Sequence, residues 1–368
     1  MKTILFNLNN SELEKFVTDL SQPRFRAKQI REWLNRGAPD FSVMKNLPED
    51  LRNKLSEIAE TLPLKIVKKL ESSDNQTTKF LLELNDGEQI ECVLMRTTYG
   101  NSVCVSSQAG CAMGCKFCAS TLLGLKRNLT VNEMYAQVLN AQWELRKDRI
   151  DKKDIHPNGD ANNGDVSHIV VMGTGEPLQN TENVIGFLER ANGELNISWR
   201  RITVSTCGIV PGIEELNKWG RPINLAISLH APTDELRSQI MPINNRYKLN
   251  EVLDAAFAFS DTHNRQLMIE YILLGKKDEN SSVVLYNANE DYANKLVELM
   301  RGHNVMVNLI PWNAVDERDF ASISGNAVHR FQDILIKNGI HTRIRRERGA
   351  DIGSACGQLR LKNARDKK

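Results

Sequence analysis

Six short apolar runs, each followed by helix-like sequence, restrict the fold of this 368-residue chain more than any other feature. The runs span residues 102–107, 168–173, 201–206, 223–229, 267–274 and 305–310. Continuous apolar runs of this length are typical of strands that are buried on both faces of a parallel sheet. The repeated β/α order predicts an α/β fold, either doubly wound or a partial barrel, with its site at the C-terminal ends of the strands.

The sequence before these repeats follows other patterns. Residues 1–64 show helical periodicity, and Ser11 is the predicted N-cap of a first helix with Glu14 in the capping-box position. The runs TTKFLLEL and QIECVLM flank the sequence NDG at 85–87, which predicts a turn between two strands.

These patterns divide the chain into four predicted parts. They are an N-terminal helical domain (1–64), a β-hairpin connecting segment (65–97), the β/α repeats (98–345) and a C-terminal segment (346–368). Residues 146–167 contain few apolar positions, so we predict a surface insertion there and assign it no function.

Charge and apolar content narrow the class of protein. The chain has 48 Lys and Arg against 46 Asp and Glu, a net charge of +2, so nucleic-acid binding would need local basic clusters. The candidate clusters are Arg24, Arg26, Lys28 and Arg31; Lys126 and Arg127; and Arg343, Arg345, Arg346 and Arg348. A solvated surface is the alternative interpretation of such runs. Because no apolar run is long enough for a membrane span or a signal peptide, we expect a cytoplasmic protein without membrane contact.

Three of the seven cysteines form a compact motif. Cys111, Cys115 and Cys118 have the spacing C-x3-C-x2-C directly after a predicted strand. Thiolates are the ligands of iron–sulfur clusters, and three of them leave one iron of a four-iron cluster open for chemistry. A structural zinc site is the alternative, but it needs four ligands and the neighbouring sequence offers no fourth Cys or His.

With an aromatic residue before its last cysteine, this motif resembles the radical S-adenosylmethionine (SAM) superfamily. The segments CVSSQAGCAMGCKFCAS, GLKRNLT, MGTGEP, AISLHAP, MPIN, NLIPWN and ACGQL resemble, in order and spacing, the RlmN family of adenine-C2 RNA methyltransferases. The resemblance implies a partial (β/α)6 TIM-like barrel of the radical SAM type, with a small N-terminal helical accessory domain and a C-terminal extension. It also implies a 4Fe-4S cluster on the three cysteines, and two SAM molecules per turnover.

The resemblance assigns SAM contacts to residues at or after strand ends. They are Gly175, Glu176, Ser205, Ser228, Leu229, His230 and Asn313. On physical grounds alone, the segment around Gly175 could be a bare turn and His230 a structural histidine.

Three further residues receive catalytic roles from the resemblance. Cys356 in ACGQL is the methyl carrier, and Cys104, seven residues before the cluster motif, resolves the intermediate as a disulfide. Glu91 lies thirteen residues before Cys104, at the family's proton acceptor. Without the resemblance, both thiols would be interpreted as buried filler, and Glu91 as a base or as an edge residue facing water. Cys92 and Cys207 match no such role, and we interpret them as packing residues.

The resemblance implies 23S rRNA and tRNA as substrates. It also implies flavodoxin or ferredoxin as electron donor, and a monomeric enzyme. Two alternatives remain open at this point. One is a carbon-8 adenine rRNA methyltransferase that confers antibiotic resistance and shares the cluster and both cysteines. The other is a non-catalytic RNA-binding protein with a structural iron–sulfur cluster, which a fourth ligand would support. The chain departs from the expected pattern at Gly353, Ser354 and Cys207.

Overall fold

The computed structural model describes residues 2–147, 164–315, 317–345, 349–352 and 357–366. Its strands are β1 (Thr3–Ile4), β2 (Ala59–Glu60), β3 (Leu64–Glu71), β4 (Thr77–Leu84), β5 (Gln89–Thr97), β6 (Gly100–Cys104), β7 (Gln108–Ala109), β8 (Arg127–Asn128), β9 (Val166–Val171), β10 (Ile202–Thr206), β11 (Asn224–Ser228), β12 (Leu267–Leu273), β13 (Gly275–Lys277), β14 (Val283–Leu285), β15 (Val305–Pro311) and β16 (His341–Ile344). Its α-helices are α1 (Asn10–Asp19), α2 (Phe25–Asn35), α3 (Glu49–Ile58), α4 (Val131–Arg146), α5 (Thr181–Leu195), α6 (Val210–Trp219), α7 (Asp234–Ile240), α8 (Leu249–His263), α9 (Glu290–Met300), α10 (Gly325–Lys337) and α11 (Gln358–Asp366).

A sheet of parallel strands forms the centre of the protein, in the order β16-β15-β12-β11-β10-β9-β6. All six predicted strands are present within a few residues of their expected bounds. Helices α4, α5, α6, α8, α9 and α10 alternate with them, which confirms six β/α units and the partial-barrel expectation. The sequence did not predict β16, a strand of four residues with only Thr342 buried.

The predicted hairpin is confirmed, and its strands extend the same sheet. Antiparallel β3, β4 and β5 pair in order, the sequence NDG at 85–87 makes the turn, and β5 then pairs with β6. Strand β5 is therefore an interior strand with partners on both sides.

The N-terminal region is helical as predicted, but α1 begins earlier than expected. Asn9, not Ser11, is the N-cap: its side chain accepts a hydrogen bond from Glu12 N–H, and the Glu12 carboxylate accepts one from Asn9 N–H at 2.8 Å. Asn is as good an N-cap as Ser, and the reciprocal pair with Glu12 decides between them. The ring of Phe6 stacks on Tyr135 of α4 at 6.0 Å, so this region packs against the barrel.

Two other expectations concern segments that lie largely or wholly outside the described ranges. The predicted insertion at 146–167 lies mostly outside the described ranges. Arg346, Arg348, Gly353, Ser354 and Cys356 lie wholly outside them. Across the described ranges, no helix combines the length and apolar content that a membrane span requires.

Candidate active site

The loop after β9 is fastened to the segment that leads from β6 into the cysteine motif. Thr174 N–H donates to Ser106 Oγ at 2.9 Å, and Glu176 N–H donates to the side-chain oxygen of Gln108 at 2.8 Å. Gly175 has φ +109°, and a Cβ there would lie 2.6 Å from the Cβ of Gln108. Only glycine fits this close approach, which explains why a glycine lies in the loop after the second strand of the repeats.

The cysteine motif forms a loop over the C-terminal ends of the strands. Cys111 and Cys115 are buried and Cys118 is half-buried. Trp312 Nε1 donates to the carbonyl of Phe117 at 3.1 Å, and Lys116 N–H donates to the carbonyl of Ile240 at 2.9 Å. Distant elements on two sides of the barrel therefore hold the backbone of this loop.

The three thiols lie close enough together to affect one another's pKa. Burial raises the pKa of the Cys111 thiol to about 12. Burial also raises the pKa of Cys115 well above its usual range, and the nearby Cys118 and Cys111 add to this effect. Thiols so placed become thiolates when a metal replaces their protons.

The donor set fits a 4Fe-4S cluster. Three cysteines on one loop can each bind a different iron and leave the fourth iron for another ligand. A structural zinc site takes four ligands that all meet at one atom, whereas this motif supplies three thiols, so its donor set fits the cluster better than the zinc alternative.

Glu176 is buried and already bonded within the protein. One carboxylate oxygen accepts from Leu178 N–H at 2.9 Å and the other from Cys207 N–H at 2.8 Å. Burial raises the pKa of Glu176, against these hydrogen bonds, which lower it. Burial and the nearby Glu176 also raise the pKa of the Cys207 thiol. Cys207 is thus a protonated, buried thiol, consistent with its interpretation as a packing residue.

Arg237 is the most prominent residue of this site that the sequence did not single out. It is completely buried, and its guanidinium donates to the carbonyls of Cys207 at 2.6 Å and Leu229 at 3.2 Å. It also donates to the side-chain oxygen of Asn244 at 2.9 Å. These bonds link the ends of β10 and β11. Burial lowers the pKa of Arg237, and the nearby Cys207 and Cys115 partly offset this effect.

The other predicted SAM residues lie at neighbouring strand ends. Ser205 Oγ and Ser228 Oγ are 3.5 Å apart, and the half-buried Asn313 follows β15. Ser228 is also the register partner of Glu270 on β12, a buried carboxylate that accepts from Asn308 Nδ2 at 3.0 Å. Glu270 was not among the residues predicted for this site, although it lies within a predicted apolar strand.

His230 has a backbone conformation that is uncommon for a residue with a side chain, with φ +61°. Its Nδ1 accepts from Ile272 N–H at 3.0 Å, and its ring meets the edge of Phe117 at 4.9 Å between centroids. Burial, with Arg237 nearby, lowers the pKa of His230 to about 3. The ring is therefore neutral, with its proton on Nε2, beside the aromatic residue of the cysteine motif.

Glu91 and Cys104 lie on one face of the sheet. Val93 is the register partner of Cys104, and Glu91 is two residues from Val93 on the same strand, so the three side chains point to the same side. Glu91 is 3% exposed, so the alternative of an edge residue facing water is wrong. Cys92 points to the opposite face, where its thiol contacts the carbonyl of Gln137.

The C-terminal helix α11 begins at the same place. Gly357 N–H donates to Glu91 Oε2 at 2.8 Å, and Arg360 N–H donates to Glu91 Oε1 at 2.7 Å. A Cβ on Gly357 would lie 2.6 Å from Ser120 Oγ, two residues after Cys118. The chain immediately after Cys356 thus lies between Glu91 and the cysteine loop.

Some of the predicted basic residues form ion pairs with carboxylates of the same chain. Arg24 pairs with Glu14 at 2.6 Å, and Arg127 pairs with Glu133 at 2.8 Å. Arg24 is nevertheless exposed, as are Lys28, Lys126, Arg343 and Arg345. RNA contact by these exposed residues stays a prediction.

Comparison with known proteins gives consistent results. Residues 3–61 match the ribosomal RNA large subunit methyltransferase N-terminal domain. The probable dual-specificity RNA methyltransferase RlmN of Clostridium tetani is 42% identical over 358 residues, which are 97% of this chain and 95% of the relative. The protein of the same description from Clostridium acetobutylicum is 44% identical over 362 residues, 98% of this chain and 97% of the relative. The crystal structure of a radical SAM methyltransferase from Sphaerobacter thermophilus superposes with a TM-score of 0.80 at 37% identity, covering 97% of this chain and 98% of that one.

Proposed function

The chain belongs to the RlmN family of radical SAM RNA methyltransferases, and from this premise we propose that it methylates carbon 2 of an adenine in 23S rRNA and in tRNA. An iron–sulfur cluster and SAM belong to this class of enzyme. We further propose that the protein is a cytoplasmic monomer, uses two SAM molecules per turnover, and receives electrons from flavodoxin or ferredoxin.

One observation supports this proposal more than any other: three elements with proposed catalytic residues meet at Glu91. Cys104 shares the face of Glu91, and the backbone that follows Cys356 donates to the Glu91 carboxylate. Residues 91 and 357 are far apart in the sequence, so no local packing requirement brings them together.

Carbon 2 of adenine lies between two ring nitrogens and is electron-poor, so direct nucleophilic methylation fails there. The Cys356 thiolate instead attacks the methyl group of one SAM. A sulfur–carbon bond forms at Cys356 as the sulfonium–methyl bond breaks, and S-adenosylhomocysteine leaves. When bound, the cluster with a second SAM supplies the radical that activates this methyl group.

The chain's own residues complete the reaction. Once the carbon of the methyl group joins Cys356 to the adenine, Glu91 accepts the proton from carbon 2, and the unpaired electron of the adduct returns to the electron-transfer partner. The Cys104 thiolate then attacks the Cys356 sulfur and a disulfide forms. The electron pair of the broken carbon–sulfur bond stays on the product carbon, which takes up a proton to complete the methyl group.

We assign SAM binding to residues at or just after neighbouring strand ends, namely Glu176, Ser205, Ser228, Leu229, His230 and Asn313. Each oxygen of the Glu176 carboxylate accepts one backbone N–H and keeps acceptor capacity for the SAM ammonium group, and Gly175 lets this loop pack closely against Gln108. Arg237 fixes the carbonyls on which this arrangement depends.

Mass spectrometry of the Cys356 peptide tests the carrier role directly. Protein prepared anaerobically with its cluster and exposed to SAM should carry one methyl group on that sulfur. An unmodified Cys356 in protein that holds the cluster and cleaves SAM would overturn the proposed mechanism.

Nucleoside analysis of reacted 23S rRNA and tRNA tests the position of the methyl group. 2-Methyladenosine is the expected product in both RNAs. 8-Methyladenosine would instead identify the carbon-8 alternative, while methylation of 23S rRNA alone would refute the tRNA part of the proposal.

A further inference from the structure

A lysine and a glutamate that are both inaccessible to solvent form an ion pair on the hairpin strands. Lys79 is 0% exposed and Glu91 is 3% exposed, and Lys79 Nζ lies 3.0 Å from Glu91 Oε2. Lysine is almost never fully buried unless paired, and burying the two charges costs free energy that their attraction must offset. Such a pair is a poor way to stabilise a sheet, which suggests that it serves another purpose.

The sheet register places Lys79 beside the proposed chemistry. Lys79 on β4 is the partner of Val93 on β5, and Val93 is in turn the partner of Cys104 on β6. Directly paired residues present their side chains on the same face. Lys79, Glu91 and Cys104 therefore share one face, with the lysine two strands away from the proposed resolving thiol.

Glu91 connects this lysine to the C-terminal helix. Its carboxylate accepts from Lys79 and from the backbone N–H groups of Gly357 and Arg360. The first N–H groups of a helix have no partner within the helix, and a carboxylate is favoured there. Side-chain contacts hold the rest of α11. Arg360 pairs with Glu88 at 3.0 Å, and Asn363 donates to Gln89 at 2.8 Å. Gln358 donates to the carbonyl of Ala314 at 3.0 Å, and Arg365 pairs with Glu317.

We propose that Lys79 is a positioning residue of the methyl-transfer reaction. Its ammonium group keeps the Glu91 carboxylate oriented toward Gly357 and Arg360, and so fixes the start of α11, which directly follows Cys356. This inference rests on the proposed function in one respect, namely that Cys356 is the methyl carrier. Loss of the Lys79 charge leaves Glu91 buried without its counter-ion, so its carboxylate is no longer held in this orientation and the two backbone hydrogen bonds weaken.

Hydrogen–deuterium exchange of the anaerobic, cluster-loaded protein tests the structural part of the proposal. In Lys79→Met, the backbone amides of 358–366 should exchange at least about tenfold faster, while those of β9 and β10 keep their protection. Lys79→Arg should restore protection because it retains the charge. Lys69→Met is the control. Lys69 lies on β3 of the same hairpin and pairs with Glu144 of α4 at 2.5 Å, on the face of the sheet opposite α11. Its removal should leave the exchange rates of 358–366 unchanged.

A double variant keeps the test decisive if Lys79→Met does not fold. Lys79→Met with Glu91→Gln removes both charges, avoids an unpaired buried ion, and should release α11 in the same way. Protection of 358–366 equal to that of the wild type in either folded variant would overturn the proposal.

The kinetic part is read from methylation of Cys356 by SAM. Lys79→Met should lower the rate constant of this single methylation at saturating SAM by about tenfold or more, and leave the half-saturating SAM concentration within about twofold, because only the acceptor is displaced. An equal loss through the half-saturating concentration would overturn the positioning role. If wild-type Cys356 receives no methyl group, the proposed function fails by itself, and the exchange comparison still decides whether Lys79 holds α11.

Discussion

The guanidinium of Arg318 donates hydrogen bonds of 2.6 and 3.1 Å to the carbonyl oxygen of Cys118. It also donates to Thr121 Oγ1 at 2.6 Å. A residue that follows the β15 strand thus holds the last cysteine of the cluster motif, although 200 residues separate them in the sequence.

Removal of this contact should weaken retention of the cluster. Hydrogen bonds from a charged donor contribute about 1.5–3 kcal/mol, so Arg318→Met should release iron several-fold faster when a chelator is added anaerobically. The loss can be followed by the visible absorbance of the cluster and by iron content. Arg301→Met, at an exposed position away from the motif, serves as control. Identical decay in the three proteins would contradict a role for Arg318.

The two cysteines Cys92 and Cys104 lie on adjacent strands but face opposite sides of the sheet, so they form a matched pair of variants. Cys104→Ala should accumulate a covalent protein–RNA adduct because nothing attacks the Cys356 sulfur, and turnover should stop at that stage. Cys92→Ala should turn over normally. Denaturing gel electrophoresis with labelled RNA measures the adduct. Full turnover by Cys104→Ala would remove it from the mechanism.

Substitution of Gly357 should displace the start of α11. Gly357 has φ +83°, and an added Cβ would lie 2.6–3.0 Å from atoms of Ser120. Gly302 has the similar φ of +82° but open space around it, so Gly302→Ala reports the backbone strain alone. Each alanine costs about 1–2 kcal/mol for its backbone conformation, and Gly357→Ala adds the clash. Methylation of Cys356 should therefore fall at least about tenfold in Gly357→Ala only. Equal rates in the two variants would argue against tight placement of this segment.

Acid should destabilise the protein through His230. Its pKa is lowered from 6.5 to about 3 on folding, so below pH 6.5 the unfolded chain takes up a proton that the folded chain does not. This one group makes the protein roughly 1.5–2 kcal/mol less stable at pH 5 than at pH 6.5. Urea unfolding of the cluster-loaded protein at both values measures the difference.

Asparagine at position 230 tests the origin of this pH dependence, since it tolerates a positive φ and does not titrate. His230→Asn should lose that part of the acid destabilisation, whereas the exposed His341→Asn should keep it. The same pH dependence in all three proteins would refute the assignment.

The sequence predicted those parts of the molecule that depend on local pattern. Continuous apolar runs identified the parallel strands, and the cysteine spacing identified the loop that fits a cluster. Strand β16 escaped because its four residues carry no apolar run. The roles of Arg237, Arg318 and Trp312 were not predicted, because these side chains bind backbone carbonyls of distant segments. The residues next to them in the sequence do not indicate such contacts.

Glu91 shows both sides of this limit. Its place on a strand followed from the run QIECVLM. Its burial and its bonds to Lys79 and Gly357 depend on which strands pair and where the last helix docks, and no local rule gives these. The resemblance to a family identified the residue without explaining what surrounds it.

The bond from Gly357 to Glu91 also has a consequence for synthesis of the protein. Residues 2–147 contain the hairpin and all three cluster cysteines, and they leave the ribosome well before α11. Gly357 follows Glu91 by 266 residues, so it cannot reach the carboxylate until nearly all of the β/α repeats have been made and have left the exit tunnel. A nascent chain, or one terminated before Gly357, therefore lacks the docked helix. The contact between Glu91 and α11 is thus among the last of the fold to form during synthesis.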